Sequence, residues 1–116
     1  MPRRDVLWAP GTRDTLRGYA SRVRTRIGRA IEVAQWGQTD ILAKRMTGPF
    51  RDVYEIVVDG SNVTHRAVYY PVKDVDGPIV VLDVFVKKST KGAAMPTHIA
   101  HRIDRRLRRV KEMERE

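Results

Sequence analysis

The sequence predicts a small α+β domain, an antiparallel sheet with an N-terminal helix pair packed on one face and a C-terminal helix. Three observations lead to this expectation. Val53 to Asp59 and Asn62 to Tyr70 are strand-like runs joined through Asp59-Gly60-Ser61-Asn62, a strong hairpin signal. A third, almost wholly apolar run, Ile79 to Val86, follows the looser connection Pro71 to Pro78 and completes a meander. The segments on either side of the meander carry apolar residues at helical rather than strand spacing. A chain of 116 residues can bury one core but not two, so residues 1–116 are expected to form a single domain.

Taken in order, Val6-Leu7-Trp8 reads as a short opening strand, ended by Pro10-Gly11. Thr12 is a fair N-cap for a short helix to Arg17, and Gly18 permits a break. A longer helix fits Tyr19 to Trp36. Val23, Ile27, Ala30, Ile31 and Ala34 share one of its faces, Arg22, Arg24, Arg26 and Arg29 lie largely off it, and Gly37 supplies the stop. Lys44 to Arg51 reads as a loop punctuated by Gly48-Pro49. The C-terminal helix begins near Pro96-Thr97 and runs on Ile99, Ile103, Leu107, Val110 and Met113, with Arg102, Arg105, Arg106, Arg108 and Arg109 assigned to its opposite side. Strand alternation places Val80, Leu82, Val84 and Val86 on one apolar face toward the helices, leaving Asp83, Phe85 and Lys87 on a partly open one. Trp8 and Trp36 lie on periodic segments and are assigned to the core.

Lys and Arg number 23 against 14 Asp and Glu, a formal net charge of +9. Polyanions are the natural partners of such a surface, nucleic acid ahead of anionic membrane. The charge is uneven. Eight arginines face two acids between Arg3 and Ala30, six acids face three cations between Arg51 and Val86, and seven cations face four acids from His98 onward. The helical flanks therefore carry the positive field. No cysteine is present, which excludes disulfides and thiolate metal sites. No apolar run reaches the roughly 18 residues that span a bilayer, and the N-terminus lacks a signal-peptide pattern, so a cytoplasmic protein without a membrane partner is expected.

The apolar strand stops abruptly at Lys87-Lys88-Ser89-Thr90-Lys91, which sets positive charge on the rim of a rigid scaffold. Such a rim suits a phosphate; it equally suits lysines that guard a strand end against edge pairing. Arg66 lies mid-strand among apolar neighbours and can act as a phosphate clamp or as the ion-pair partner of Glu55. A two-residue hairpin turn puts Glu55 and Arg66 on one face; a three-residue turn pairs Glu55 with His65 instead. His98, at the start of the last helix, is either an acid or base near the rim or a polar surface residue. His98 and His101 have no third ligand at metal spacing, so no metal is expected. Phe85 and Tyr69 are the stacking candidates if the sheet face is open.

Several segments in order carry a resemblance. They are Leu7-Trp8 before the helix pair, Ala43-Lys44-Arg45-Met46-Thr47-Gly48, Val53-Tyr54-Glu55-Ile56, His65-Arg66-Ala67-Val68-Tyr69-Tyr70, and Phe85-Val86-Lys87-Lys88-Ser89-Thr90-Lys91. Together they resemble the phage-derived, HigB-type branch of the RelE/ParE toxin superfamily of type II toxin–antitoxin systems, over roughly the whole chain. The resemblance implies a RelE-like fold and a metal-independent, cofactor-free endoribonuclease that cleaves mRNA in the A site of the 70S ribosome. It also implies silencing by a cognate helix-turn-helix antitoxin, with operator DNA bound only through the antitoxin complex. On matching positions Arg66 would clamp the phosphate, Lys87 and Lys88 would stabilise charge or transfer protons, and Glu55 would orient Arg66 or act as a weak base. Lys44, Arg45, Arg51, Lys91 and Phe85 would contact RNA. No tyrosine follows the lysine rim, and His98-Ile99 stand where relatives often carry an acid, which leaves the general acid and base open and draws attention to His98. The alternatives are a ParE-like gyrase-inhibiting toxin and a non-catalytic basic nucleic-acid-binding protein.

Overall fold

The computed structural model describes residues 2–88 and 95–116. Its elements in chain order are β1 (Val6–Trp8), α1 (Thr12–Arg17), α2 (Ser21–Gln35), β2 (Ala43–Arg45), a 3-10 turn at Gly48–Phe50, β3 (Tyr54–Asp59), β4 (Val63–Pro71), β5 (Ile79–Lys88) and α3 (Thr97–Glu114). They form the expected α+β domain. The sheet runs β1-β5-β4-β3-β2, antiparallel throughout except that β1 pairs parallel with β5. The first difference from the sequence expectation is at the sheet edge. Lys44 and Arg45, expected in a loop, join Ala43 in a short edge strand, because the three pair with Glu55, Tyr54 and Ile56 of β3.

Local chemistry explains the boundaries. In α2 the apolar face Val23, Ile27, Ala30, Ile31 and Ala34 is buried against the sheet. Gly37 adopts φ 79°. Its N–H donates to the Ala34 carbonyl and that of Gln38 to the Val33 carbonyl, the paired bonds that close a helix on a left-handed residue. Trp36, expected in the core, is instead 51 % exposed at this helix end. Trp8 packs against the core cluster as expected. The β3–β4 hairpin turns on Ser61-Asn62, with Gly60 N–H donating to the Val63 carbonyl at 2.8 Å and Asn62 at φ 61°. This is the two-residue alternative, so Glu55 and Arg66 share a face.

Two cores result, one on each side of the sheet. On one side α1 and α2 cover Ile56, Val58, Ala67, Tyr69, Ile79, Val81 and Val84. On the other, Ile99, Ile103 and Leu107 of α3 pack on Val53, Val68, Tyr70, Val80, Leu82 and Phe85. Simple alternation along β5 fails in its middle. Val68 pairs with Asp83 and Tyr69 with Val81, so Leu82 is an extra residue that shifts the register. Leu82 and Asp83 consequently both face α3, Val84 turns to the α1–α2 side, and the expected apolar face of Val80, Leu82, Val84 and Val86 is divided. The Leu82 carbonyl accepts from Arg106 Nη1 at 2.6 Å. Asp83, 2 % exposed, takes a bidentate pair of bonds from Arg102 at 2.6 and 2.9 Å. Arg102 and Arg106 therefore face the sheet rather than solvent.

A second ion pair ties α2 to the start of β2. Arg26 donates to both carboxylate oxygens of Asp40 at 2.7 and 3.2 Å, and the Leu42 N–H adds a third bond. Arg26 chiefly, against the opposing effect of burial, holds this carboxyl below the usual aspartate range.

Removing the buried Asp83 strands a partly covered guanidinium, so Asp83→Ala should lower unfolding free energy by about 2–4 kcal/mol. Arg108→Ala, which breaks only the exposed pair with Asp104, should cost under ~0.5 kcal/mol in the same urea titration. Because the folded-state pKa of Asp40 is depressed, its contribution is complete above the unfolded value of 3.8 and is lost as pH falls through the folded value. Asp40→Asn should therefore flatten the acid side of the stability–pH curve, measured by denaturant unfolding across that range.

Candidate functional site

The face that α3 covers is left open toward the β3–β4 hairpin, beyond Val68 and Phe85. There β3 contributes Glu55 and Val57, β4 contributes Thr64 and Arg66, and β5 contributes Lys87. Arg66 sits opposite Val57 on one side and Phe85 on the other, and Lys87 sits opposite Thr64. Alternation therefore sends Arg66 and Lys87 to one surface. Lys88, paired with Val63, falls on the α1–α2 side. The two lysines do not converge, which corrects the expectation that both join Arg66 at one phosphate.

Arg66 is held rather than free. Its Nη1 donates to Glu55 Oε1 at 2.9 Å, and its Nε donates to Thr64 Oγ1 at 3.0 Å. The Thr64 hydroxyl in turn donates to the Lys87 carbonyl at 3.2 Å. Side-chain exposure is 20 % for Arg66 and 16 % for Glu55, so the pair is half-sunk in the sheet with part of the guanidinium open. Both readings of Arg66 from the sequence are thus compatible: it pairs with Glu55 and still presents unused N–H groups outward. Thr64 was not singled out from the sequence. Its position two residues before Arg66, which strand periodicity places on the same face, is the signal that could have found it.

The other candidates are scattered. Lys44 pairs with Glu55 across β2–β3, is exposed, and extends the same face to the sheet edge. Arg45 is turned back, donating to the Arg51 carbonyl and lying 3.7 Å from Asp52. Arg51 is exposed beside the 3-10 turn. Phe85, 6 % exposed, packs under α3, and Tyr69, 2 % exposed, stacks on Tyr54 at 5.3 Å on the α1–α2 side. Neither has a face available to a base, so both stacking assignments are withdrawn; the register shift in β5 buries the first. His98 is exposed in the first turn of α3. Lys91 lies outside the described residues. Among the described residues no helix is long and apolar enough to cross a membrane.

A phosphate group fits this arrangement chemically. A guanidinium whose Nε and Nη1 are already fixed has lost its rotamer freedom and offers its remaining donors in one direction. A second cation, Lys87, lies on the same face one strand away and adds positive charge there.

Residues 14–108 match the family described as phage derived protein Gp49-like (DUF891). The chain belongs to this family, which is of the RelE/HigB type. No curated protein matches its sequence. Among solved structures, the free state of a mutant E. coli toxin RelE superposes with a TM-score of 0.60 at 18 % identity, covering 91 % of this chain and 99 % of that one. The chain has the RelE fold.

The Glu55–Arg66 bond should show a coupling energy of about 1–2 kcal/mol in a double-mutant cycle of Glu55→Gln and Arg66→Met, followed by urea unfolding. A value near zero would mean that the pair is not held in solution.

Proposed function

We propose that this protein is the toxin of a type II toxin–antitoxin system, a cytoplasmic endoribonuclease that cleaves mRNA in the ribosomal A site. The observation that carries this reading is the Arg66 guanidinium, fixed by Glu55 and Thr64, with Lys87 on the same face of the neighbouring strand. Family membership and the RelE fold support the same reading, and the surplus of positive charge suits a ribonucleoprotein substrate.

In the proposed reaction the ribose 2′-oxygen attacks the adjacent phosphorus and the bond to the 5′-oxygen of the next nucleotide breaks. The products are a 2′,3′-cyclic phosphate and a 5′-hydroxyl end. The 2′-hydroxyl loses its proton as the attack proceeds, and the leaving 5′-oxygen gains one. Arg66 grips the non-bridging oxygens, where charge grows in the transition state. Lys87 stabilises the same charge or protonates the leaving oxygen, while Glu55 orients Arg66. His98, in the first turn of α3, is the candidate for the remaining acid or base role. Lys88, on the opposite side, holds RNA backbone away from the scissile bond, and Lys44 and Arg51 do the same at the β2 edge. The reaction draws on no metal. The ribosome presents the mRNA in the bent geometry that an incomplete site needs, and a cognate helix-turn-helix antitoxin silences the protein and links it to operator DNA.

Expression without a partner should arrest growth. Arg66→Ala and Lys87→Ala should each relieve the arrest and lower mRNA cleavage in extracts by about 100-fold or more, whereas Lys88→Ala should reduce it only a few-fold. Undiminished toxicity of both Arg66→Ala and Lys87→Ala would remove this patch from the site. Growth arrest accompanied by DNA damage rather than mRNA loss would favour a gyrase-directed toxin.

A further inference from the structure

Thr64 is the buried polar side chain of the Arg66 patch, 7 % exposed. On β4 it lies two residues before Arg66, and across the strand pair it sits opposite Lys87. Its hydroxyl does two things at once. It accepts the Arg66 Nε–H at 3.0 Å and donates to the Lys87 carbonyl at 3.2 Å. A hydroxyl has one proton, so the donation to β5 leaves its lone pairs to Arg66. A β-branched side chain has few χ1 choices in a strand, so the direction of that acceptor is fixed. Glu55 is the longer and more adaptable partner, and its carboxylate can follow the guanidinium.

The consequence lies in which edge of the guanidinium remains. A planar guanidinium can hold two oxygens along Nε and Nη2, or along Nη1 and Nη2. Thr64 occupies Nε, which closes the first edge. Nη1 has a second N–H besides the one given to Glu55, so the other edge keeps a donor on each nitrogen. A phosphodiester offers two non-bridging oxygens to such an edge.

We infer that Thr64 is a positioning residue of the phosphate site. It locks Arg66 so that the Nη1–Nη2 edge meets the two non-bridging oxygens of a phosphodiester, and it ties that edge to the β5 backbone at Lys87. The effect on cleavage rests on the ribonuclease reading above, whereas the locking is a property of the folded chain alone. Without the hydroxyl Arg66 keeps its charge, so RNA is still attracted. The fork loses its fixed direction, so the transition state suffers more than the bound substrate, and kcat changes more than KM.

The test compares the full chain with Thr64→Val, which has nearly the same shape without the hydroxyl, and Thr64→Ser, which keeps it. Thr64→Ala removes the same hydroxyl and replaces Thr64→Val in both measurements if the valine variant does not fold. The first measurement is the Arg66 side-chain NMR spectrum, titrated with dimethyl phosphate, a phosphodiester monoanion. In the native protein and Thr64→Ser the Nε–H should exchange slowly, and the probe should shift the Nη signals more than Nε. In Thr64→Val the Nε–H should exchange about tenfold faster or more, and the probe should shift Nε as much as Nη. The second measurement is mRNA cleavage on programmed 70S ribosomes. Thr64→Val should lower kcat about tenfold or more with KM within about twofold, and Thr64→Ser should restore most of the loss. Equal Nε–H exchange in the native protein and Thr64→Val, or a serine variant that behaves as the valine one, would overturn the proposal. Native-like cleavage by Thr64→Val would overturn it too and leave the ribonuclease reading standing. A native protein that cuts no mRNA while the spectra follow the expected pattern would strike the ribonuclease reading and leave the locking by Thr64 in place.

Discussion

A single extra residue in β5 sets the geometry on which the rest depends. Leu82 has no partner on β4, so the strand's alternation slips by one between Leu82 and Val84. Upstream, β1 and β4 impose one register on Ile79 to Val81; downstream, β4 imposes another on Asp83 to Lys88. Without the slip Lys88 rather than Lys87 would share a surface with Arg66. The bulge is stabilised chemically. Its liberated carbonyl is taken by Arg106, and the neighbouring Asp83 is gripped by Arg102. Both arginines come from α3, so the same contacts that complete the bulge also dock the helix. The helix then covers Phe85, while Arg66, opposite it on β4, keeps 20 % of its side chain exposed.

Much of the fold was legible because period and punctuation agreed. The opening strand, the hairpin through Asp59-Gly60-Ser61-Asn62 and the start of α3 lie where composition and spacing put them, and the short first helix is off by one residue, with Gly11 rather than Thr12 at its N-cap. The misplacements have identifiable causes. Three residues, Ala43 to Arg45, are too few to show a period, and only pairing with β3 makes them a strand. Trp36 continues the helical spacing of α2 but sits past its last turn, where no neighbour covers it. The bulge has no local signature in a run that is apolar but for Asp83; it shows only in the pairing of β5 with β4. Phe85 and the lysine pair were misjudged for that one reason.

The candidate site was half legible. Arg66 and Glu55 stood out as charges within apolar strands, and the turn length decided their pairing. Thr64 and the division of labour among the arginines did not. Net charge counts Arg26, Arg102 and Arg106 as cations available to a polyanion, yet all three are engaged in the fold, two with buried carboxylates and one with carbonyl oxygens. The positive field that remains includes Arg22, Arg24 and Arg29 on α2, Lys44 and Arg51 near the β2 edge, and Arg105 and Arg109 on α3, all exposed. Lys44 and Arg51 lie toward the β2 edge, Lys44 on the Arg66 face, whereas the α2 arginines lie across the sheet from Arg66.

The most direct measurement is the chemistry of the cut ends in a reconstituted reaction of this protein with programmed 70S ribosomes. The account predicts A-site cleavage that leaves a 2′,3′-cyclic phosphate and a 5′-hydroxyl, persists in EDTA on ribosome-bound mRNA held by crosslinking, and disappears in Arg66→Ala. Cleavage of equal rate by that variant, or a linear 3′-hydroxyl and 5′-phosphate product, would contradict it.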